Sequence, residues 1–548
     1  MTLLCVPITV HDFAQAIDDA TLAKRAGADL VEFRIDEVFS GSGDALEERL
    51  ALDLCANSPL PCIITCRSAA EGGGYDGPEM DRVSLYERLG TASGAGEVPP
   101  RYLDFELASY VASENIRQKI NLAVDHPAQL RDLRTSLILS MHDFKGRPTD
   151  LTRRLLVARE QEAPRVIKVA YLARSLRDNL ELLDLVTESD RPMIALGMGE
   201  FGLLSRVLAF KFGAFLTFAA LRPAQTTAPG QPTLAEMLDL YRVRSITART
   251  RVFGVVGMPV GHSMSPLVHN AGFARAGFDG VYLPLPIAEG FESLKATLGE
   301  LIDHPRLDFS GCSVTIPHKE NLVRLARESG WALDELSQTT GAANTVTVER
   351  DAQGRAARVR VSNTDIPAAV GVLEECLGAL AGLEIAIVGA GGVARGIALG
   401  CARAGAHVTV YNRTRERAEA LARDLTPHAG AGSVRAEGLE MLKASRARAL
   451  VNATPAGMAS GPAAQESALP EHGLASKEVL VFDTVYNPIR TPTLARAEAL
   501  GYATADGVGM FVRQAAMQFE GWTGASAPIA EFDRLVRARL APKASGGG

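Results

Sequence analysis

The sequence predicts an α/β protein in two parts, a parallel (β/α)8 barrel followed by a two-lobed α/β unit. Three observations carry that prediction. Eight apolar runs of strand length, most of them separated by helix-length segments, fill about the first 220 residues, and such alternation marks a parallel sheet covered on both faces. At Val252 a new strand–loop–helix pattern begins with VFGVVG. Further on, LEIAIVGAGGVARG sets a glycine turn between a strand and a helix.

The first strand is Leu3–Val10. The opening MTLLCVPITV lacks a basic stretch ahead of a long apolar core, so it reads as a strand and not as a signal or transit peptide. The next strands are Leu30–Asp36, Cys62–Arg67, Tyr102–Glu106, Leu137–His142, Val166–Tyr171, Met193–Gly199 and Phe215–Ala220. The run INLAV at 120–124 is either a ninth strand or the buried face of a helix. RPAQTTAPGQ at 222–231 is a loop by composition, and Leu234–Tyr241 is a helical segment. The barrel is thus expected over 1–240 and a linker over 241–250. Beyond it come a helix from Pro266, a strand–turn–helix in GCSVTIPHKENLVRLA, a hairpin over Val346–Val361 about DAQGR, and a helix from Ile366 to Leu380. The runs RALVNAT and VLVFDTV extend the glycine-turn strand into an open sheet of Rossmann type. A substrate lobe is expected over 251–364, completed by C-terminal helices in 507–540, with a nucleotide lobe over 365–506. The tail 541–548, ending in KASGGG, has the composition of a disordered segment.

Composition excludes several classes of function. A net charge of -7 and the lack of a basic segment give no footprint for nucleic acid. No uninterrupted apolar stretch of about 18 residues offers a membrane span. Seven scattered cysteines without short paired spacing form neither a disulfide framework nor a metal site, and PCIITC reads as a buried strand. The expected location is the cytoplasm. Oligomeric state is not encoded in any visible pattern.

Polar residues gather at the ends of the barrel strands, where barrel enzymes build their sites: Glu32, Arg34, Arg67, Asp104, Glu106 and His142. Lys168 lies inside the apolar strand VIKVAYL. A buried amine is costly unless paired, and the neutral amine that burial favours condenses with a ketone to a Schiff base. His142 on the adjacent strand is suited to moving the proton. A lysine that pairs structurally with Glu106 or reaches for the rim fits the same pattern, and Glu32, Arg34 and Arg67 read equally as salt-bridge plugs.

EFRID at 32–36, TCRSAAEGG at 65–73, LSMHDF at 139–144, VIKVA at 166–170, MGEFGLLSRV at 198–207 and TAPGQ at 227–231 resemble, in order, the type I dehydroquinate dehydratase family. That resemblance spans residues 1–240. It implies that Lys168 forms the imine with 3-dehydroquinate, that His142 serves as general acid/base, and that Glu71 orients the histidine. Glu32, Arg34, Arg67, Arg206, Thr227 and Gln231 would hold the substrate. Thr227 departs from the family's usual serine but keeps the hydroxyl.

In the second part, GAGGVA at 389–394 fits G-x-G-x-x-A. The next strand ends in TVYNRTRER, where Asn412, Arg413, Thr414 and Arg417 replace the acidic residue expected of an NAD site and suit the 2′-phosphate of NADP. A solvated helix start is the plainer reading of the arginines taken singly. GMPVGHSMSPLVHN at 257–270, VTIPHKE at 314–320, GAANTV at 341–346, SNTD at 362–365, DTVYNP at 483–488 and DGVGMFVRQAAMQFEGWTG at 506–524 resemble the shikimate dehydrogenase family over residues 251–540. The resemblance implies that Ser263 and Ser265 bind the shikimate carboxylate with Tyr486 nearby. Thr315, Asn344 and Gln514 would meet ring hydroxyls, and Lys319 with Asp365 would form the catalytic pair. Gly389, Ala390, Gly391, Gly392, Val393, Ala394 and Gly507 would line the cofactor. Alone, Lys319–Glu320 reads as a surface charge pair at a helix start. Two departures stand out: Ser313 where the family has asparagine, and Ala368 where a glycine commonly follows NTD.

Together the resemblances imply a two-reaction enzyme taking 3-dehydroquinate through 3-dehydroshikimate to shikimate with NADPH. A catabolic quinate/shikimate dehydrogenase is a second reading. A non-catalytic quinate-responsive regulator is a third; it predicts erosion of Lys168, His142, Lys319 and Asp365, all of which are present.

Overall fold

The computed structural model describes residues 1–39, 45–127, 132–225, 230–459, 461–476 and 478–541. The chain divides into two compact units, Met1–Thr250 and Arg251–Gly548. Among the described residues no helix is long and apolar enough to cross a membrane.

The first unit is an eight-stranded parallel barrel of β1 (Leu3–Thr9), β2 (Leu30–Arg34), β3 (Cys62–Thr65), β4 (Tyr102–Glu106), β5 (Ser136–Asp143), β6 (Pro164–Leu172), β7 (Met193–Met198) and β8 (Leu216–Phe218). The sheet order is β7-β6-β5-β4-β3-β2-β1-β8. Between β7 and β8, the Phe215 N–H donates to the Met193 carbonyl at 2.8 Å. Side chains alternate across each strand, so residues two apart share the interior. Leu30, Ile63, Tyr102, Ile138, Val166, Ile194 and Leu216 form an apolar plug. Two residues further along come Glu32, Thr65, Asp104, Ser140 and Lys168, and two further Arg34, Arg67, Glu106 and His142. The interior thus turns from hydrocarbon to charge toward the strand C-termini.

All of INLAV but Val124 belongs to the helix Glu114–Ala123, whose buried Ile116, Ile120 and Ala123 recur at helical and not strand spacing. Residues 241–250, expected as a linker, fall within the first unit. Tyr241 and Val243 are buried, the Arg244 side chain donates to the Gly27 carbonyl at 2.9 Å, and Lys211 Nζ donates to the Ala248 carbonyl at 2.7 Å. The expected disordered tail falls almost wholly on 542–548, outside the described residues.

The second unit contains two six-stranded sheets. The first comprises β9 (Arg251–Gly257), β10 (Gly280–Pro286), β11 (Phe309–Val314), β12 (Ala332–Leu333), β13 (Thr345–Arg350) and β14 (Ala356–Ser362), in the order β10-β9-β11-β13-β14-β12. The hairpin β13–β14 is antiparallel. The helices Gly507–Thr523 and Ile529–Leu540 return to this sheet, where Phe511, Phe519, Trp522 and Phe532 pack with Phe253, Val268, Phe273 and Tyr282 in one core. The second sheet comprises β15 (Glu384–Val388), β16 (His407–Asn412), β17 (Ser433–Gly438), β18 (Ala449–Asn452), β19 (Leu480–Asp483) and β20 (Ala503–Ala505). It is wholly parallel, ordered β17-β16-β15-β18-β19-β20.

Helix Asp365–Leu377 joins the lobes and packs on helix Gly392–Arg403. A Cβ added at Gly396 would stand 2.9 Å from Ile366, and one at Gly400 2.7 Å from Ile366 and 2.8 Å from Val370. Ala368 is fully buried in the same core. The close approach expected of a glycine at 368 is therefore supplied by glycines on the facing helix.

Candidate active sites

In the barrel, Lys168 is buried and Nζ lies 2.7 Å from Asp104 Oδ2 and 3.5 Å from Glu32 Oε1. It also stands 4.7 Å above the Phe218 ring. The structural partner is thus Asp104 and not Glu106, because tilted strands bring Lys168 level with a residue that flat register does not align with it. Asp104 also accepts from Arg67 Nη2 at 2.6 Å and from the Ser140 hydroxyl at 2.6 Å. Burial opposes its ionisation, but Arg67 and Lys168 outweigh that and hold the carboxyl far below the usual range. The Thr65 hydroxyl donates to Glu32 at 2.7 Å.

Glu106 has a different task. It receives Arg82 Nη1 at 2.6 Å, lies 3.2 Å from Arg67 Nη1, and accepts the Ser68 N–H at 2.9 Å. Arg82, reaching in from helix Glu79–Gly90, is fully buried and lies 4.8 Å over the Phe105 ring. The arginines Arg34 and Arg67, expected at the substrate, both face protein carboxylates. Arg34 donates bidentately to Asp36 at 2.8 and 2.9 Å.

The Ser68 contact anchors the loop that carries Glu71. Asp36 fixes the far end by accepting the Gly74 N–H at 2.8 Å, and Gly73 crosses so close that a Cβ would lie 2.0 Å from the Arg67 carbonyl oxygen. Glu71 Oε2 then receives both the backbone N–H of His142 at 2.9 Å and its ring Nδ1 at 3.0 Å. Burial lifts the Glu71 carboxyl to about 7. Burial, reinforced by Arg67 and Lys168, pushes the His142 ring well below its ordinary value. The histidine therefore rests neutral, with Nδ1 engaged and Nε2 available as a base.

Arg206, on helix Leu203–Phe212, is buried, and no described carboxylate pairs with it. Its Nε has no hydrogen-bond partner, and desolvation alone lowers it to about 10. A buried fork without an anion suits a bound carboxylate. Gln231 is buried, while Thr227 lies outside the described residues.

In the second unit, Lys319 opens helix Lys319–Glu328 and Asp365 opens helix Asp365–Leu377, and Nζ meets Oδ2 at 2.7 Å. Both side chains keep contact with solvent, at 26% and 20% exposure, so the pair is not sealed in a core. Asn363 Oδ1 accepts the Asp365 and Ile366 N–H groups at 3.1 and 3.3 Å and sets the helix start. Asn344 Oδ1 accepts the Thr364 N–H at 2.8 Å. Gln518, which the sequence did not single out, donates to Thr345 Oγ1 at 2.9 Å and to Thr364 Oγ1 at 3.3 Å. It ties the long C-terminal helix to the residue before Asp365. The expected Gln514 is buried and donates to the Phe511 carbonyl at 3.0 Å, and the Tyr486 ring lies tilted against Phe511 with centroids 4.9 Å apart. Thr315 is partly exposed one turn before Lys319. Ser263 accepts the Ser265 N–H at 3.2 Å.

The nucleotide lobe offers an open cradle. Gly389 has φ +114°, and a Cβ there would lie 2.9 Å from Thr454 Cγ2. A Cβ at Gly391 or Gly392 would meet nothing within 4 Å, at the N-terminus of helix Gly392–Arg403. The exposed backbone N–H groups there suit a pyrophosphate, followed by Ala390 and Val393, while Ala394 is buried beneath. Asn412 Nδ2 donates to the Thr414 carbonyl at 2.8 Å, shaping a turn that leaves Arg413, Thr414 and Arg417 exposed. Gly507 starts the C-terminal helix, packed so tightly that a Cβ would lie 2.6 Å from Val485 backbone.

Residues 4–248 match the family model for type I 3-dehydroquinase, and residues 255–346 that for the shikimate dehydrogenase substrate binding domain. Residues 507–537 match the shikimate 5'-dehydrogenase C-terminal domain, and residues 384–474 the model for NADP oxidoreductase, coenzyme F420-dependent. The chain is 34% identical over 541 residues to a chloroplastic bifunctional 3-dehydroquinate dehydratase/shikimate dehydrogenase of Arabidopsis thaliana, covering 96% of this chain and 83% of that one. It is 40% identical over 305 residues to a shikimate dehydrogenase (NADP(+)) of Rhodospirillum rubrum, covering 54% of this chain and 99% of that one. A shikimate dehydrogenase (NADP(+)) of Methanopyrus kandleri is 38% identical over 301 residues, covering 54% of this chain and 98% of that one.

Proposed function

The chain belongs to the bifunctional 3-dehydroquinate dehydratase/shikimate dehydrogenase family, and we propose that Lys168, His142 and Glu71 carry the first reaction and Lys319 with Asp365 the second. It is a shikimate-pathway enzyme, a lyase and an oxidoreductase in one chain. It converts 3-dehydroquinate to 3-dehydroshikimate and reduces that ketone to shikimate with NADPH.

In the barrel, the Lys168 amine adds to the C3 ketone and water leaves, giving an iminium. The iminium acidifies C2; the neutral His142 ring takes that proton and returns it to the departing C1 hydroxyl, so a second water leaves. Hydrolysis of the imine frees the product and restores the amine. Glu71 steadies the imidazolium formed midway. Arg206 receives the substrate carboxylate, and Glu32 and Gln231 face its hydroxyls. The observation that carries this reading is the His142–Glu71 contact at 3.0 Å beside a buried lysine.

In the second unit Ser263 and Ser265 hold the carboxylate of the ring acid, and Thr315, Asn344 and Gln514 its hydroxyls. The Lys319–Asp365 pair delivers a proton to the C3 oxygen as the ketone is reduced. Gly389, Gly391 and Gly392 admit the pyrophosphate of NADP(H), and Arg413, Thr414 and Arg417 bind its 2′-phosphate. The bound cofactor supplies the hydride. The seven cysteines, all unpaired, support a reducing compartment, the cytoplasm.

One experiment tests both sites: 3-dehydroquinate and NADPH are supplied to the pure protein and both products followed. Borohydride should trap a covalent adduct on Lys168. Lys319→Met should abolish reduction and leave dehydration intact. An unmodified Lys168 with full turnover defeats the imine route, and full reduction by the Lys319 variant defeats the second assignment.

A further inference from the structure

Two buried polar side chains lie side by side at the carboxyl ends of the nucleotide-lobe strands, and the reaction steps above use neither. We propose that Asp483, joined to Asn452, is a positioning residue for both ligands of the second unit: it holds the loop that borders the cofactor cradle and the loop that carries Tyr486 in one fixed relation. The substrate half of the proposal rests on reading Tyr486 beside the ring-acid carboxylate.

Val388, Asn452 and Asp483 are the last residues of β15, β18 and β19 and lie level across these neighbouring strands. Open parallel sheets bind their ligands beyond that end. Asn452 and Asp483 are fully buried, and Asn452 Nδ2 donates to Asp483 Oδ1 at 2.9 Å.

From Asn452 the contacts run to the cofactor side. Its Oδ1 accepts the Thr454 N–H at 3.0 Å and the Thr454 hydroxyl at 2.6 Å, and its Nδ2 also donates to the Ala456 carbonyl at 3.2 Å. Thr454 is the residue set against Gly389. From Asp483 the contacts run to the substrate side. Oδ1 also accepts the Val485 N–H, next to Tyr486, at 3.0 Å. Oδ2 accepts the Thr491 hydroxyl at 2.6 Å, and the same Thr491 oxygen caps helix Pro492–Ala499 by accepting the Leu494 N–H at 3.2 Å. The two loops meet again where the Ala459 N–H donates to the Asn487 carbonyl at 3.0 Å. Tyr486 packs on the same apolar core as Met264, the residue between Ser263 and Ser265.

The arrangement calls for a carboxylate. Asp483 meets donors from Asn452, Val485 and Thr491 at once, and an ionised carboxyl only accepts. An amide at this position would keep one oxygen for Asn452 and Val485 but turn an NH2 toward Thr491, whose hydrogen would lose its acceptor. Burial raises the Asp483 carboxyl, and no described cation pairs with it. A buried charge held by neutral donors alone costs stability; what it supplies here is a fixed geometry.

The test measures KM for shikimate in oxidation by the full chain with NADP, and Kd for NADPH by calorimetric titration. Asp483→Asn should raise both about five- to tenfold, the scale of one buried hydrogen bond. A rise in only one, or in neither, overturns the proposal. Should that variant not fold, Asn452→Ala cuts the link from the cofactor side and must give the same paired rise. Tyr486→Phe separates positioning from general support of the fold. It should raise KM for shikimate about tenfold in the native chain but less than about twofold when Asp483→Asn is already present, since a displaced ring has no contact left to lose. An equal cost in both backgrounds overturns the proposal. No cost in the native chain removes the reading of Tyr486 and with it the substrate half, and the NADPH result then decides the cofactor half.

Discussion

Replacing Glu71 by glutamine removes one charge and little else. Glu71 Oε2 accepts from both the His142 N–H and its Nδ1, and an amide oxygen can occupy the same place. The lost quantity is therefore the charge assistance given to the imidazolium, about 1.5–3 kcal/mol for a hydrogen bond to an ionised group. That corresponds to about a ten- to hundredfold fall in kcat for dehydration. The pH profile is the sharper readout. Burial raises the Glu71 carboxyl to about 7, and the productive form is the ionised one, so the native rate climbs through that pH. Roughly a tenth of the carboxyl is ionised one unit below and nine-tenths one unit above. The assay follows the conjugated product by its ultraviolet absorbance without NADPH, so that the second unit is silent. Glu71→Gln should give a profile flat from pH 6 to 8, as nothing else in the dyad titrates there: burial and nearby cations hold His142 neutral throughout. A variant still inflecting near pH 7, or one as fast as the native enzyme, would refute the reasoning.

Arg206→Met should raise KM for 3-dehydroquinate at least tenfold, yet increase the barrel's melting temperature by about 2–4 °C for each ~1 kcal/mol gained, since a buried cation that no described carboxylate pairs with costs stability; a drop in stability would refute this. Arg82→Met leaves Glu106 with one arginine fewer and should destabilise the barrel by about 3–5 kcal/mol, read by urea titration of dehydratase activity, while fluorescence of Trp331 and Trp522, both in the second unit, keeps its own midpoint. Gly389→Ala forces a Cβ to within 2.9 Å of Thr454 at φ +114°; NADPH should bind at least tenfold more weakly, by calorimetric titration, with dehydration unchanged.

The barrel strands are legible because both of their faces are buried, leaving unbroken apolar runs bounded by charge. Elements that lack that signature escape. β10 carries Pro284 and Pro286, β17 exposes Ser433 and Arg435, and β20 is only three residues long. The site divides in the same way. His142, Lys168, Lys319 and Asp365 stand in motifs, whereas Asp104 as the partner of Lys168 depends on strand tilt, which period-two alternation does not record. Gln518 lies in apolar surroundings where an amide reads as core, and its hydrogen bonds to Thr345 and Thr364 are what separate it from packing.

The return of the last two helices to the first sheet of the second unit sets a schedule for synthesis. The Phe253 and Trp522 rings meet with centroids 5.3 Å apart, yet a ribosome adding about 5–20 residues per second needs roughly 15–50 s to pass from one to the other. Throughout that interval the barrel is complete, while the lobe around β9 waits with the apolar face of Phe253, Phe273 and Tyr282 uncovered. A chain stalled or cut before residue 507 would retain its dehydratase and expose that face. Such fragments should be the ones that chaperones hold and proteases clear first.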